Sequence, residues 1–366
     1  MRTKLDASAS IVIKIGSSSI THPNGGVDTD ALRRIVDQVV TLNRRGHRVV
    51  LVSSGAVAAG LPALGKTERP SDIAGLQAAA AVGQGRLMEV YSAAFGSAGV
   101  VVGQVLLTKD ILRNRQQYVN AKQTLERLGD LGAVPIVNEN DTVVVDELRI
   151  GDNDRLAAIV SHMIDAGLLL ILTDTPGVYG TDPRIDPEAK LLDAVRHTDE
   201  VLETIRDATT AGHFGTGGVA TKIAAAQIAA WSGIPTVIAG AGIERVALRC
   251  VDGESIGTWI APRDHGLNAR KLWIAFGSPS EGSVSIDDGA FGALASGGGS
   301  LLSVGVLSVV GSFAARAPVE IVDARGSLVG KGIVMEAAQA IRDMAGKPTA
   351  DGGGPVIHRD DLVVLG

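Results

Sequence analysis

GLPALGKT, residues 60–67, satisfies the phosphate-loop pattern G-x-x-x-x-G-K-[ST] at every fixed position. How it is read decides the fold. A working loop of this kind joins a strand directly to a helix, so that backbone N–H groups and the helix N-terminus meet the phosphates. The flanks deny it that setting. Upstream, the strand-like RVVLVSS stops at Ser53 or Ser54, and AVAAG (56–60) is itself helical in composition. Downstream, ERPSD carries Pro70, which disfavours helix at Arg69 and removes a backbone donor. GLPALGKT is therefore expected to be a mobile surface connection carrying Lys66. The dinucleotide loop GxGxxG is absent as well, because GAG at 240–242 runs into IER.

Outward from that stretch, short apolar runs alternate with helical patterns. IVIKIG (11–16) reads as a buried strand, and the run 28–46 as a helix capped by Asp28 or Thr29 and closed by Gly46. Residues 72–99 read as an Ala-rich helix interrupted near Gly83 and Gly85, 100–108 as a strand and 118–132 as a helix. AVPIVNEND (133–141) reads as a strand, TVVVDELRIGDND (142–154) as a hairpin and 154–167 as a helix. Then come a strand and turn (168–180), a helix (218–233) and a strand (234–240). Repeated strand–helix–strand units predict a mainly parallel sheet covered on both faces, with ligands at the carboxyl ends of its strands. Those ends read KIGSSS, SSG, NEND, TDTPG and AG. Beyond Pro262 the texture changes to short strands and Gly/Ser turns, with GGGS (297–300) read as a turn. The expected layout is an α/β domain over 1–262, a linker over 263–277 and a small β-rich domain over 278–366.

Composition narrows the function. Hydrophobic residues are 45% of the 366, so a folded globular chain is expected; aromatics are only 3%, which suits buried parallel strands better than a base-stacking surface. A net charge of −6 leaves no whole-chain electrostatic footprint for nucleic acid. The lone Cys250 permits neither an internal disulfide nor a Cys-based zinc cluster and reads as a small buried hydrophobe. No apolar h-region opens the chain, and runs such as AGLLLILT are too short to span a bilayer. A cytoplasmic setting is the expectation.

Three constellations could carry chemistry. GTGGVATK (215–222) frees the backbone with Gly215, Gly217 and Gly218 just before a helical stretch, and places Lys222 in its first turn; a glycine-rich turn with a solvent-facing lysine is the alternative. Lys14 lies inside an Ile/Val strand near its carboxyl end, an expensive place for a charge unless it is used or paired. Such a lysine can face transferring phosphoryl oxygens, or snorkel from an edge strand. NENDT (138–142) and GDND (151–154) gather carboxylates and amides that can hold an ammonium group, orient lysines or reach Mg²⁺ through water, or merely build turns. No His accompanies them, so a His-ligated transition metal is not expected.

Taken in order, KIGSSS, VSSGAVAAG, NEND, IGDND, LTDTPGVY and GTGGVATK resemble the amino-acid kinase family from about Ile11 to Ala261. SVSIDDGA, SLLSVGV, GSF and PVEIVDARGSLVGKG resemble a PUA domain. The resemblance implies a three-layer amino-acid kinase sandwich with a mainly parallel sheet, followed by a small PUA-like domain. It also implies ATP-dependent phosphorylation of the γ-carboxylate of L-glutamate, the first step of proline biosynthesis, with Mg²⁺ carried by the nucleotide phosphates. By the same resemblance Lys14, Lys222 and Asp154 are catalytic, Asp154 organising the two lysines. Ser54, Gly55, Asn138, Asp141 and Asn153 bind the amino acid. Lys14, Thr173, Asp174, Thr216, Gly217, Gly218, Val219, Ala220, Thr221 and Lys222 bind ATP. Inhibition by L-proline, a homo-oligomer and hand-over of the product to glutamyl phosphate reductase are further implications. Two alternatives stay open: a kinase for another small acid, such as aspartate or N-acetylglutamate, and an RNA-binding protein acting through the PUA-like part.

Overall fold

The computed structural model describes residues 2–108, 111–112, 114–143, 153–183, 185–196, 199, 202, 218–297 and 299–365. The chain divides into two compact units, Met1–Gly266 and Leu267–Gly366.

In the first unit the strands are β1 (Ser10–Ile15), β2 (Arg48–Ser53), β3 (Val102–Leu107), β4 (Val134–Glu139), β5 (Leu168–Thr173), β6 (Ala194–Arg196), β7 (Thr236–Gly240) and β8 (Thr258–Ala261). They form one sheet in the order β3-β4-β2-β1-β5-β7-β8-β6. Pairing is parallel from β3 across to β7, and β8 runs antiparallel to β7. Among the described residues the helices are α1 (Thr29–Arg44), α2 (Ala56–Gly60), α3 (Ile73–Gly96), α4 (Arg115–Asp130), α5 (Asn153–Met163), α6 (Gly218–Trp231) and α7 (Val246–Val251).

Burial explains the layering. Alternate residues of the central strands, Ile11, Ile13 and Ile15 of β1 with Leu168, Leu170 and Leu172 of β5, pack against α1, α3 and α7. The opposite face carries α4, α5 and α6, giving helix, sheet, helix. Local signals set the helix ends: Asp28 caps α1 by accepting from the Ala31 N–H, and Asp72 caps α3 by accepting from that of Gly75. The strand order reverses between β1 and β5, which themselves run parallel, since connections from β1 lead to β2 on one side and those from β5 to β7 on the other. That is the switch point at which open parallel sheets bind ligands.

Three sequence expectations change. First, α3 runs unbroken from Ile73 to Gly96 through Gly83 and Gly85. A Cβ at Gly83 would come 1.7 Å from the Ala56 carbonyl oxygen, and one at Gly60 would come 2.0 Å from that of Ala79. The glycines are there for close backbone approach between α2 and α3, not to break a helix. Second, GLPALGKT is no open connection but holds the end of α2, a 3₁₀ turn at Pro62–Leu64 and a left-handed Gly65; no strand enters it, as expected, and its Gly60 is a packing glycine. Third, β6, α7 and β8 were not foreseen, because short elements leave too few residues to show a period. The expected hairpin at 142–154 falls largely outside the described residues; Asp141–Val143 form a 3₁₀ turn before it.

The second unit contains α8 (Ala269–Leu272), α9 (Asp288–Ala295) and α10 (Ala338–Met344). Its sheet is built from β9 (Gly282–Ile286), β10 (Leu301–Leu302), β11 (Val306–Gly311), β12 (Pro318–Val322), β13 (Leu328–Val334) and β14 (Pro355–Val364), in the order β10-β14-β13-β12-β9-β11. All its neighbours pair antiparallel except β9 and β12. Val284, Ile286, Val319, Ile321 and Val356 form its separate core. Residues 263–277, read from sequence as a linker, hold α8 and a π turn at Trp273–Gly277, with Leu272 and Ile274 buried.

Candidate active site

The carboxyl ends of β1, β2 and β4, with the first turns of α5 and α6, surround a cavity of about 260 Å³. A larger cleft of about 660 Å³ lies elsewhere, between the start of α1, Pro62–Ala63 and α3; its charged liners Arg33, Arg86 and Glu89 are on the surface. The smaller cavity is the chemical one, because buried ionic groups converge on it.

Lys14 sits in the central strand, in register with Val52 of β2 and Ile171 of β5, and is 5% exposed. On β1 it alternates with Ile13 and Ile15, so its side chain projects to the face covered by α5. There its ammonium lies 2.6 Å from Asp154 Oδ1. At that distance the two form a close, charge-assisted ion pair. The other oxygen, Oδ2, accepts from the Thr221 hydroxyl at 2.7 Å and faces Lys222 Nζ at 3.5 Å. Lys222 also donates to the Gly218 carbonyl at 2.7 Å. Burial works to raise the Asp154 carboxyl, but Lys14, Lys222 and Thr221 outweigh it and hold it below the usual carboxylate range. One carboxylate thus spaces two ammonium groups at the switch point.

Beside this triad lies an amide cluster. The Asn153 amide N–H₂ donates to Asn138 Oδ1 at 2.8 Å and to the Ser54 hydroxyl at 3.0 Å. Asn138 Oδ1 also accepts from the Glu139 N–H, at 2.9 Å, and the Asn138 amide donates to Gln84 Oε1 at 2.7 Å. Gly55 has φ +105°, a left-handed geometry that favours glycine and turns the chain from β2 straight into α2. Asp141 is 7% exposed, and its Oδ1 has no hydrogen-bond partner. Burial pushes its carboxyl up to about 6, against a smaller downward pull from Arg69.

Of the residues singled out by sequence, Lys14, Ser54, Gly55, Asn138, Asp141, Asn153, Asp154 and Lys222 line this one cavity. Gly218, Val219, Ala220, Thr221 and Lys222 form the first turn of α6, whose leading N–H groups have no intrahelical acceptor. Thr173 ends β5, and its hydroxyl donates to Asp174 at 3.0 Å. The turn that follows is pinned to β8 by the Val178 N–H donating to the Thr258 hydroxyl at 2.9 Å. Thr216 and Gly217 lie outside the described residues. Among the described residues no three His, Cys, Asp or Glu side chains are grouped to hold a metal ion, and no helix is long and apolar enough to cross a membrane.

The amino acid kinase family model matches residues 9–240. The chain belongs to the amino acid kinase family. A PUA domain model matches residues 282–351. Among curated members, the chain is 43% identical to a glutamate 5-kinase of Pseudomonas entomophila (strain L48) over 373 aligned positions, covering 100% of both chains. It is 45% identical to a glutamate 5-kinase of Geobacter sp. (strain M21), covering 97% of each. It is 42% identical to one of Thermobifida fusca (strain YX), covering 100% of this chain and 95% of the relative.

Within this amino acid kinase fold, three residues of the site are not evident from sequence. Gln84 fixes which way the Asn138 amide faces. Tyr91, fully buried, shares a 2.8 Å hydrogen bond with the Ser53 hydroxyl next to Ser54. Seven residues apart, these two sit on one face of α3 and tie it to the ends of β4 and β2. The third is Arg69, which lines the cavity from the ERPSD segment. Gln84 and Tyr91 could have been flagged as polar residues in register on an apolar helix; Arg69 carries no periodic signal.

Proposed function

We propose that the chain transfers the γ-phosphoryl group of ATP to the γ-carboxylate of L-glutamate, giving L-glutamyl 5-phosphate and ADP, the first step of proline biosynthesis. The observation that carries this reading is the shared cavity. It sets two lysines around Asp154 next to a buried Asp141 whose carboxyl oxygen has no partner.

The substrate γ-carboxylate is ionised near neutral pH, so no general base is needed. A carboxylate oxygen forms a bond to the γ-phosphorus as the bond from that phosphorus to the β,γ-bridging oxygen breaks, and no proton moves. The obstacle is repulsion between two anions, which positioning and fixed positive charge relieve. Lys14 and Lys222 supply that charge, with Asp154 holding them apart and oriented. The N–H groups at the start of α6 and the Gly-rich stretch before it, Thr216 and Gly217 included, cradle phosphates. Thr173 and Asp174 hold the nucleoside end. Ser54, Gly55, Asn138 and Asn153 hold the amino acid, and Asp141 takes its α-ammonium. Mg²⁺ enters with the ATP phosphates as part of that substrate.

The chemistry is assigned to residues 1–262 and none of it to the PUA-like 278–366. Inhibition by L-proline, a homo-oligomer, a cytoplasmic setting and direct hand-over to a reductase complete the proposal. The lability of an acyl phosphate in water is the chemical reason for hand-over.

The test is incubation of purified protein with Mg-ATP, hydroxylamine and L-glutamate, with aspartate and N-acetylglutamate in parallel. Glutamyl hydroxamate from glutamate alone is expected. Turnover of another acid instead would keep the family and overturn the substrate. Silence with every acid would overturn the reaction.

A further inference from the structure

An amino acid with a side-chain carboxylate brings three charged groups to a site: an α-ammonium, an α-carboxylate and the distal carboxylate. Asp141 answers the first. Lys14 and Lys222 face the reacting end, and both are engaged with Asp154. Among the described residues the cavity is lined by one more cation, Arg69. Among the described residues Arg69 makes no ion pair and no hydrogen bond, and yet its charge reaches Asp141 across the cavity. Its position is anchored. Pro70 follows it directly, Asp72 caps α3 two residues later, and a Cβ on Gly75 would come 2.8 Å from Pro70 Cβ, so the segment is pressed onto the first turn of the helix. A planar guanidinium with two parallel N–H groups matches a carboxylate bidentately.

We infer that Arg69 binds the α-carboxylate of the substrate and, with Asp141 on the α-ammonium, makes the site select an α-amino acid over an acid that lacks one of these groups. This rests on the proposed reaction and names the residue that reads the substrate's amino-acid end. Arg69 is a specificity residue for the acceptor and takes no part in handling the nucleotide.

4-Aminobutyrate is glutamate without its α-carboxylate and is the probe. With L-glutamate, Arg69→Ala is expected to raise KM on the order of ten- to a hundredfold, the range for a lost charge-assisted hydrogen bond. The KM for ATP should stay within a factor of about two, and Arg69→Lys should fall between the two forms. With 4-aminobutyrate at saturating ATP, kcat/KM should be low in the wild type and essentially unchanged in Arg69→Ala, since the contact is already missing. An equal loss for both acceptors would overturn the inference, because Arg69 would then act through the fold or through Asp141. An unchanged KM for glutamate would overturn it too. If the wild type forms no glutamyl hydroxamate, the proposed reaction fails first and takes the inference with it. Active wild type with an indifferent Arg69→Ala isolates the failure to Arg69.

Discussion

Lys14 of β1 and Asp154 of α5 meet at 2.6 Å, both almost fully buried, at the point where the strand order of the parallel sheet reverses. The pair is local in space and distant in sequence, and each partner makes the other tolerable in a low-dielectric setting. Because Asp154 also faces Lys222, the carboxylate governs the spacing of both cations.

Lys14→Ala is therefore expected to lower kcat on the order of 10²- to 10³-fold, the range seen when one preorganised donor to a developing charge is removed. Far-ultraviolet circular dichroism should keep its native form. Asp154→Asn should cost stability as well as activity, on the order of 3 kcal/mol, since it leaves the buried Lys14 and the half-buried Lys222 without a counter-charge. A Lys14→Ala enzyme with near-native kcat would remove Lys14 from the transfer step.

Asp141 gives a pH dependence with opposite signs for binding and for stability. Its carboxyl titrates at about 6 in the fold, against 3.8 for an ordinary aspartate. Below about 6 it is protonated and no longer attracts an ammonium, so the KM for glutamate should rise as pH falls through that value. The folded state holds this proton more tightly than the unfolded chain. The group's favourable contribution is thus complete below about 4 and lost as pH rises through about 6. Asp141→Asn should bind glutamate poorly at every pH, without the wild-type dependence near 6. In the absence of substrate it should melt at a higher temperature than wild type at pH 7.5, with the advantage gone at pH 4. A variant that is less stable than wild type at pH 7.5 would show that Asp141 is not an isolated buried carboxylate.

Much of this was legible in the sequence, for identifiable reasons. Lys14 stood out because a charge inside IVIKI violates the pattern of a buried parallel strand. The loops at strand ends stood out because Gly, Ser, Asn and Asp cluster there. Gln84, Tyr91 and Arg69 did not, because what they do is set by partners 54, 38 and 72 residues away, in Asn138, Ser53 and Asp141. Gly83 was misread for a related reason. A glycine in a helix costs about 1 kcal/mol by propensity, and only the neighbouring α2 reveals that its missing Cβ is what the packing requires.

The phosphate-loop lookalike can be tested by contrast with α6. Lys66 is exposed, in a segment that no strand enters, whereas Lys222 lies in the first turn of a helix and touches Asp154. Lys66→Ala should leave kcat and the KM for ATP within a factor of about two, the scale of a neutral surface change. Lys222→Ala should lower kcat/KM for ATP by about two orders of magnitude or more. Initial rates across an ATP titration decide it, and a collapse in Lys66→Ala would restore GLPALGKT as a nucleotide site.

Gly83→Ala sets propensity against packing. On an isolated helix the change would stabilise by about 1 kcal/mol. Here the new methyl would stand 1.7 Å from the Ala56 carbonyl oxygen and 2.5 Å from the Gly60 nitrogen, both backbone atoms that no rotamer change can move. Overpacking of that kind costs about 1–3 kcal/mol and occasionally more, so a net loss of about 2 kcal/mol is expected, read as a lower urea midpoint at unchanged slope. Moving α2 away would also shift Gly55 and Ser54 at its leading end, so the KM for glutamate should rise while that for ATP holds. Gly85→Ala is the control: a Cβ there meets nothing within 4 Å, and that variant should be neutral or slightly more stable. If Gly83→Ala instead matches Gly85→Ala, α2 and α3 do not touch backbone to backbone, and the glycines of this segment need another explanation.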